Sequence, residues 1–171
     1  MATLSTASGF PYPATTETAD PQRDLKALAD YLEAQLAWTA YTPVWTASTT
    51  NPVLGNGTIQ GAYCKIGKLV NFRCSITLGS TTTVGAGAYT VTLPAVNTAA
   101  TVTEQLCTGL FIDSSTGNYY RGVGRMSPSA ATIGRAHFVD GAGALAGWSA
   151  TVPVVPATGD IITFCGSYQS V

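Results

Sequence analysis

From Trp38 onward, apolar and polar residues alternate with a period of two, and turn signals interrupt the alternation again and again. Such a pattern sends successive side chains to opposite faces, which suits strands with one face in a core and one face in water. Val70, Phe72, Cys74, Ile76 and Leu78 alternate with Asn71, Arg73, Ser75 and Thr77 in the clearest run of the chain. Tyr89, Val91 and Leu93 repeat the pattern until Pro94, which brings no N–H to a ladder. In the next run Leu106, Thr108, Leu110 and Ile112 alternate with Cys107, Gly109 and Phe111, so both faces are fairly apolar and a central strand is predicted. Tyr119 to Arg125, Ala131 to Phe138, Thr151 to Val155 and Ile161 to Tyr168 complete the expected strands. Between them fall Asn51-Pro52, Gly55-Asn56-Gly57, Gly67-Lys68, Ser114 to Asn118, Asp140-Gly141 and Gly159-Asp160, all turn chemistry. The fold class that follows is mainly β: an antiparallel β-sandwich, jelly-roll-like, over residues 38–171.

The N-terminal part obeys other rules. Residues 1–19 have neither period, and Phe10-Pro11-Tyr12-Pro13 favours an extended path because each proline fixes its own φ and restrains its neighbour. This segment reads as an extended attachment arm with two aromatics as its apolar hook. Residues 20–37 read as one short α-helix. Asp20 suits the N-cap, Pro21 the first helical position and Asp24 the positive end of the helix dipole. Leu25, Leu28, Leu32 and Leu36 make an apolar stripe. A helix this short is marginal alone. Its stripe has two candidate covers: parallel copies around a threefold axis, or the chain's own β-domain.

Only 10% of the residues are charged, against roughly 25% in an average soluble domain, and the difference is made up by Thr, Ala, Ser and Gly. A hydroxyl-rich surface fits lasting contact with other subunits, since buried hydroxyls cost less than buried charges. The net charge is −1 and the eight Lys and Arg residues are scattered along the sequence, so no nucleic-acid partner is expected. No apolar run reaches the ~20 residues a bilayer needs, so no membrane insertion is expected. No charged leader precedes the first basic residue, Arg23, so export by a signal peptide is not expected either. The four cysteines have no CxxC spacing. If Gly67-Lys68 is a two-residue hairpin tip, Ile66 faces Leu69 and Cys74 faces Gly61 rather than Cys64. The cysteines therefore read as four buried free thiols, in keeping with assembly in a reducing bacterial cytoplasm.

The residues that could carry chemistry read as structural. His137 is the only histidine, no G-x-S-x-G elbow is present, and no catalytic or metal site is expected. Two carboxylates facing each other across a cleft would mark a glycosidase. Glu104 and Asp113 are the nearest candidates, while Asp140 and Asp160 belong to turns. Gly55-Asn56-Gly57 fails as a dinucleotide loop because position 60 is Gln and glycine falls at 61. No cofactor is expected. Tyr119 and Tyr120, beside the Ser114–Asn118 loop, are candidate carbohydrate contacts, and being neighbours in a strand they point to opposite faces.

Several segments resemble a known module. They are Trp38-Thr39-Ala40-Tyr41-Thr42-Pro43-Val44-Trp45, Thr49-Thr50-Asn51-Pro52-Val53-Leu54-Gly55-Asn56-Gly57-Thr58, residues 61–68, Gly79-Ser80-Thr81-Thr82-Thr83, and residues 157–168 at the end. Together they are similar to a β-rich module of tail-fibre, minor tail and head-decoration proteins of phages infecting Actinobacteria. The Pro-Tyr-Pro arm and short helix look like the attachment segment before such modules. The resemblance implies a non-enzymatic virion surface role, on the capsid exterior or the tail, and threefold symmetry. It makes a homotrimer the expected state and phage capsid or tail proteins the expected partners. A host surface polysaccharide is the alternative partner, for a receptor-binding module.

Overall fold

The computed structural model describes residues 3–4, 11–12, 20–94, 99 and 103–171. In chain order the elements are β1 (Thr3–Leu4), β2 (Pro11–Tyr12), α1 (Pro21–Leu36), β3 (Thr39–Tyr41), β4 (Trp45–Ala47), β5 (Thr58–Ile66), β6 (Leu69–Thr77) and β7 (Tyr89–Thr92). Then follow β8 (Gln105–Asp113), β9 (Asn118–Met126), β10 (Thr132–Ile133), β11 (Arg135–Val139), β12 (Leu145–Gly147) and β13 (Ile161–Gln169).

The helix begins where the sequence predicts. The Asp20 carboxylate accepts the Arg23 N–H at 3.1 Å and Pro21 opens the first turn. Lys26 reaches Asp30 one turn on, at 2.8 Å. At Ala37 the backbone turns extended and the helix stops.

The strands form an antiparallel sandwich of unequal layers. One sheet has eight strands in the order β12-β11-β9-β8-β13-β6-β5-β3, and a smaller one has three, β10-β7-β4. β8 lies between β9 and β13, the central place its two apolar faces predict. The β5–β6 hairpin turns at Gly67-Lys68 in the expected register, with Ile66 opposite Leu69 and Gly61 opposite Cys74. The run from Ala131 to Phe138 is not one strand. At Gly134 it passes between layers: Thr132–Ile133 pairs with β7 in the small sheet, and Arg135–Val139 pairs with β9 in the large one. The stretch from Thr151 to Val155 is not a strand either. Ser149 and Val152 bridge a turn, and Pro153 and Pro156 supply no N–H for a ladder.

The core lies between the two layers. Trp45 stacks on Trp148 at 6.0 Å, with Tyr89 edge-on to both. Phe138 and Phe164 pack against the same Trp148. Room for these rings comes from glycines on the inner face of the large sheet. A Cβ at Gly109 would lie 2.9 Å from Phe164 and 3.2 Å from Phe138, so the position needs a residue without one.

Two of the segments that carry the resemblance close on each other at one end of the sandwich. Val53 pairs with Thr83 and Thr50 with Ala86. The Asn56 side-chain oxygen accepts both the Thr81 N–H and the Thr81 hydroxyl, each at 2.9 Å. The Thr82 hydroxyl donates to the Leu54 carbonyl. The Thr- and Gly-rich runs are thus a clasp between the 49–58 and 79–86 segments, and Gly55, at φ +59°, makes its turn.

Candidate interaction surface

β4, β7 and β10 cover one side of the large sheet, and the side chains of the other side point away from the core. Strand register fixes which residues are neighbours there. Tyr119, Ile112 and Ile161 form one row across β9, β8 and β13. Arg121, Leu110 and Thr163 form the next, and Val123, Thr108 and Cys165 the third. Arg125 and Leu106 follow. Leu106, Tyr119 and Val123 are 62%, 67% and 40% exposed, and Leu110, Ile112 and Ile161 are half-buried. The face is mixed: its apolar side chains are interrupted by Arg121, which lies between Tyr119 and Val123, and by Thr108 and Thr163, with Arg125 beside Leu106.

Those cations were not legible as a group. Arg73 on β6, Arg121 and Arg125 on β9 and Arg135 on β11 all project from this same face, although they are far apart in sequence. Alternation with buried neighbours is the signal: Phe72 and Cys74 flank Arg73, Gly122 and Gly124 separate Arg121 from Arg125, and Ala136 follows Arg135. Arg125 pairs with Glu104 at 3.3 Å. The Arg73 guanidinium sits 4.7 Å from the centre of the Trp38 ring. Beside it, a cavity of about 370 Å³ opens over Ala62, Ser75, Thr163 and Cys165, bordered by Gln60 and Arg73.

The helix lies along β5 at the other end of the same sheet and also beside β2. Asp24, Ala27, Leu28, Tyr31 and Gln35 are partly covered. Of the striped leucines only Leu28 turns to that covered side; Leu25, Leu32 and Leu36 stay 67%, 43% and 63% exposed. In the arm, Pro11 and Tyr12 form β2, which pairs with β1, while Phe10 and Pro13 lie outside the described residues.

The candidate reactive groups each hold local structure. Asp113 accepts the N–H and hydroxyl of both Ser115 and Thr116, and these hydroxyls hold its carboxyl below the usual carboxylate range. Asp160 is buried and accepts the Ser114 and Ala157 N–H groups at 2.9 and 2.7 Å. Asp140 caps its own turn through the Ala142 and Ala144 N–H groups. Glu104 and Asp113 stand at opposite ends of β8, roughly 30 Å apart along a nine-residue strand, so they do not face one another across a cleft. His137 projects outward from β11 opposite Val123 and Gly147. Among the described residues no three His, Cys, Asp or Glu side chains are grouped to hold a metal ion, and no helix is long and apolar enough to cross a membrane.

The tyrosine pair separates as strand geometry requires. Tyr119 is presented to solvent, whereas Tyr120 turns inward and meets Phe111 edge-on at 6.2 Å. All four cysteines are free, but only three are buried. Cys165 faces outward on β13 and is exposed, because Phe164 takes the inward position beside it. Burial pushes the Cys74 and Cys107 thiols up to about 11 and 12.

No protein-family model and no curated protein matches the sequence. Among solved structures, the chain is similar to the crystal structure of the Dettilon tailspike protein (gp208), with a TM-score of 0.51 at 15% identity. The fold resembles part of a tailspike. The likeness covers 78% of this chain but 23% of the tailspike chain, so this chain corresponds to under a quarter of that protein's length.

Proposed function

We propose that this chain is a non-enzymatic structural protein of a bacteriophage virion, a short-fibre or decoration component of the tail that acts as a homotrimer. The observation that carries the reading is the likeness of 78% of the chain to part of a tailspike protein. The site chemistry supports it. The β-domain carboxylates Asp113, Asp140 and Asp160 are occupied as turn anchors and Glu104 as an ion-pair partner, which leaves them to hold structure. In this reading the arm, with Phe10, Pro11, Tyr12 and Pro13, attaches to another virion protein, and several copies multiply a modest single-site affinity. Deleting residues 1–19 is expected to abolish incorporation into particles while the remaining chain keeps its β circular-dichroism spectrum. Incorporation of the truncated chain at the normal level would refute the anchoring role.

Tyr119 favours a second reading, a receptor-binding module for a host surface polysaccharide. It is two-thirds exposed and adjoins the Ser114–Asn118 loop, a position from which an aromatic ring stacks on a sugar. Host adsorption by particles carrying Tyr119→Ala decides between them. A loss of adsorption with normal incorporation supports receptor binding, and unchanged adsorption leaves the structural role alone.

A further inference from the structure

We infer that the outward face of β13, β8 and β9 is an interface between copies of this chain, and that its occupant is the α1 helix of the adjacent copy. The inference rests on the multi-copy reading above and names the contact. The face carries exposed Leu106, Tyr119 and Val123 and half-buried Leu110, Ile112 and Ile161, with Arg121, Thr108 and Thr163 set among them, on a sheet whose opposite side is already covered; exposed apolar side chains gathered in this way mark an association surface. The chain's own helix does not reach it: α1 lies over β5, and β6 and β13 separate β5 from β8.

The helix is used on one side only. Leu28 and Tyr31 belong to the side that is partly covered, while Leu25, Leu32 and Leu36 recur at seven and four residues along one exposed line. Size matches as well. A 16-residue helix is about 24 Å long, and a nine-residue strand about 30 Å. Charge then selects the partner. The helix and its cap carry four carboxylates, Asp20, Asp24, Asp30 and Glu33, against two cations, Arg23 and Lys26, which pair with Asp24 and Asp30, so the segment keeps a net charge of −2. Arg121 within the patch and Arg135 beside it on β11 have no carboxylate partner among the described residues. An acidic helix with an exposed leucine line and a basic sheet face with exposed Leu106, Val123 and Tyr119 are complementary in both respects. Each copy offers one helix and one face, so the contact is head-to-tail and closes into a ring when the rotation allows, with three copies satisfying the expected trimer.

Size-exclusion chromatography with light scattering on the full chain tests this. The wild type is expected to run as one oligomer. Arg121→Glu with Arg135→Glu should convert it to monomer with an unchanged circular-dichroism spectrum, and adding Asp30→Arg with Glu33→Arg should restore the oligomer. In a Leu32→Cys chain, oxidation should join the introduced thiol to the native Cys165 of the next copy, which is exposed on the same face. A monomeric wild type, an oligomer untouched by the arginine reversal, or a disulfide between two introduced thiols (helices packed on each other) would each overturn the inference. A monomeric chain that still purifies with particles defeats this interface and spares the virion reading; an oligomer absent from particles does the reverse.

Discussion

Gly109→Ala is the sharpest test of how the sandwich is packed. The added Cβ would stand 2.9 Å from the Phe164 ring and 3.2 Å from the Phe138 ring. Neither ring has room to retreat, since Phe164 is 1% exposed, Phe138 is fully buried, and both lean on Trp148 with centroids 5.5 and 6.0 Å away. Overpacking of this kind costs about 1–3 kcal/mol, while the stiffer unfolded chain returns about 0.4–1 kcal/mol. We expect a net loss of about 1–2 kcal/mol in urea unfolding followed by tryptophan fluorescence, with protein concentration held fixed. Trimming the obstructing ring should remove the penalty. In a Phe164→Leu background Gly109→Ala should cost less than about 0.5 kcal/mol, a coupling of about 1 kcal/mol in the double-mutant cycle. Gly147→Ala serves as control: it lies on β12 at negative φ with nothing within 4 Å of its Cβ, so it should be neutral or slightly stabilising. Strict additivity of Gly109→Ala and Phe164→Leu would refute the placement of the rings over that glycine.

Three further outcomes follow. The Tyr89 hydroxyl is buried without a hydrogen-bond partner among the described residues, so Tyr89→Phe should leave stability unchanged or raise it by about 1 kcal/mol; a loss of that size in thermal melts would reveal a partner for the hydroxyl. The Cys74 and Cys107 thiols should react with a thiol reagent at pH 8 at least about a hundredfold more slowly in the folded chain than in urea, because burial both covers them and keeps them protonated; equal rates would contradict their place in the core. The Asp113 carboxyl sits below its ordinary value of 3.8, so its contribution is complete above that pH and is lost as pH falls through the lower folded value. Asp113→Asn should therefore weaken the fold at neutral pH and flatten its loss of stability in acid, and an acid profile identical to wild type would count against the hydroxyl-bonded turn.

Where the sequence was legible, a short-range rule decided the structure. Asp20 and Pro21 set the helix start, and Gly67-Lys68 fixed the β5–β6 register and with it the separation of Cys64 from Cys74. What escaped depended on contacts between distant segments. Gly134 reads as one residue of a long apolar run, yet it is where the chain leaves one sheet for the other, and pairing with β7 on one side and β9 on the other decides that. β12 is three residues long and owes its existence to the edge of β11. The run from Thr151 to Val155 is apolar enough for a strand, but its prolines forbid the ladder. The outward patch was least visible of all. Leu106 and Val123 look like core residues in a periodicity reading, and Arg73, Arg121 and Arg135 look scattered, until strand order brings them onto one side of a single sheet.

The central claim is that this chain is a built-in part of a phage particle. Electron microscopy of purified virions bearing a fusion label on this chain, with peptide mass spectrometry of the same preparation, measures it directly. The account predicts label at the tail, in copy numbers that are multiples of three. Particles that are complete and infectious yet contain none of its peptides would contradict it.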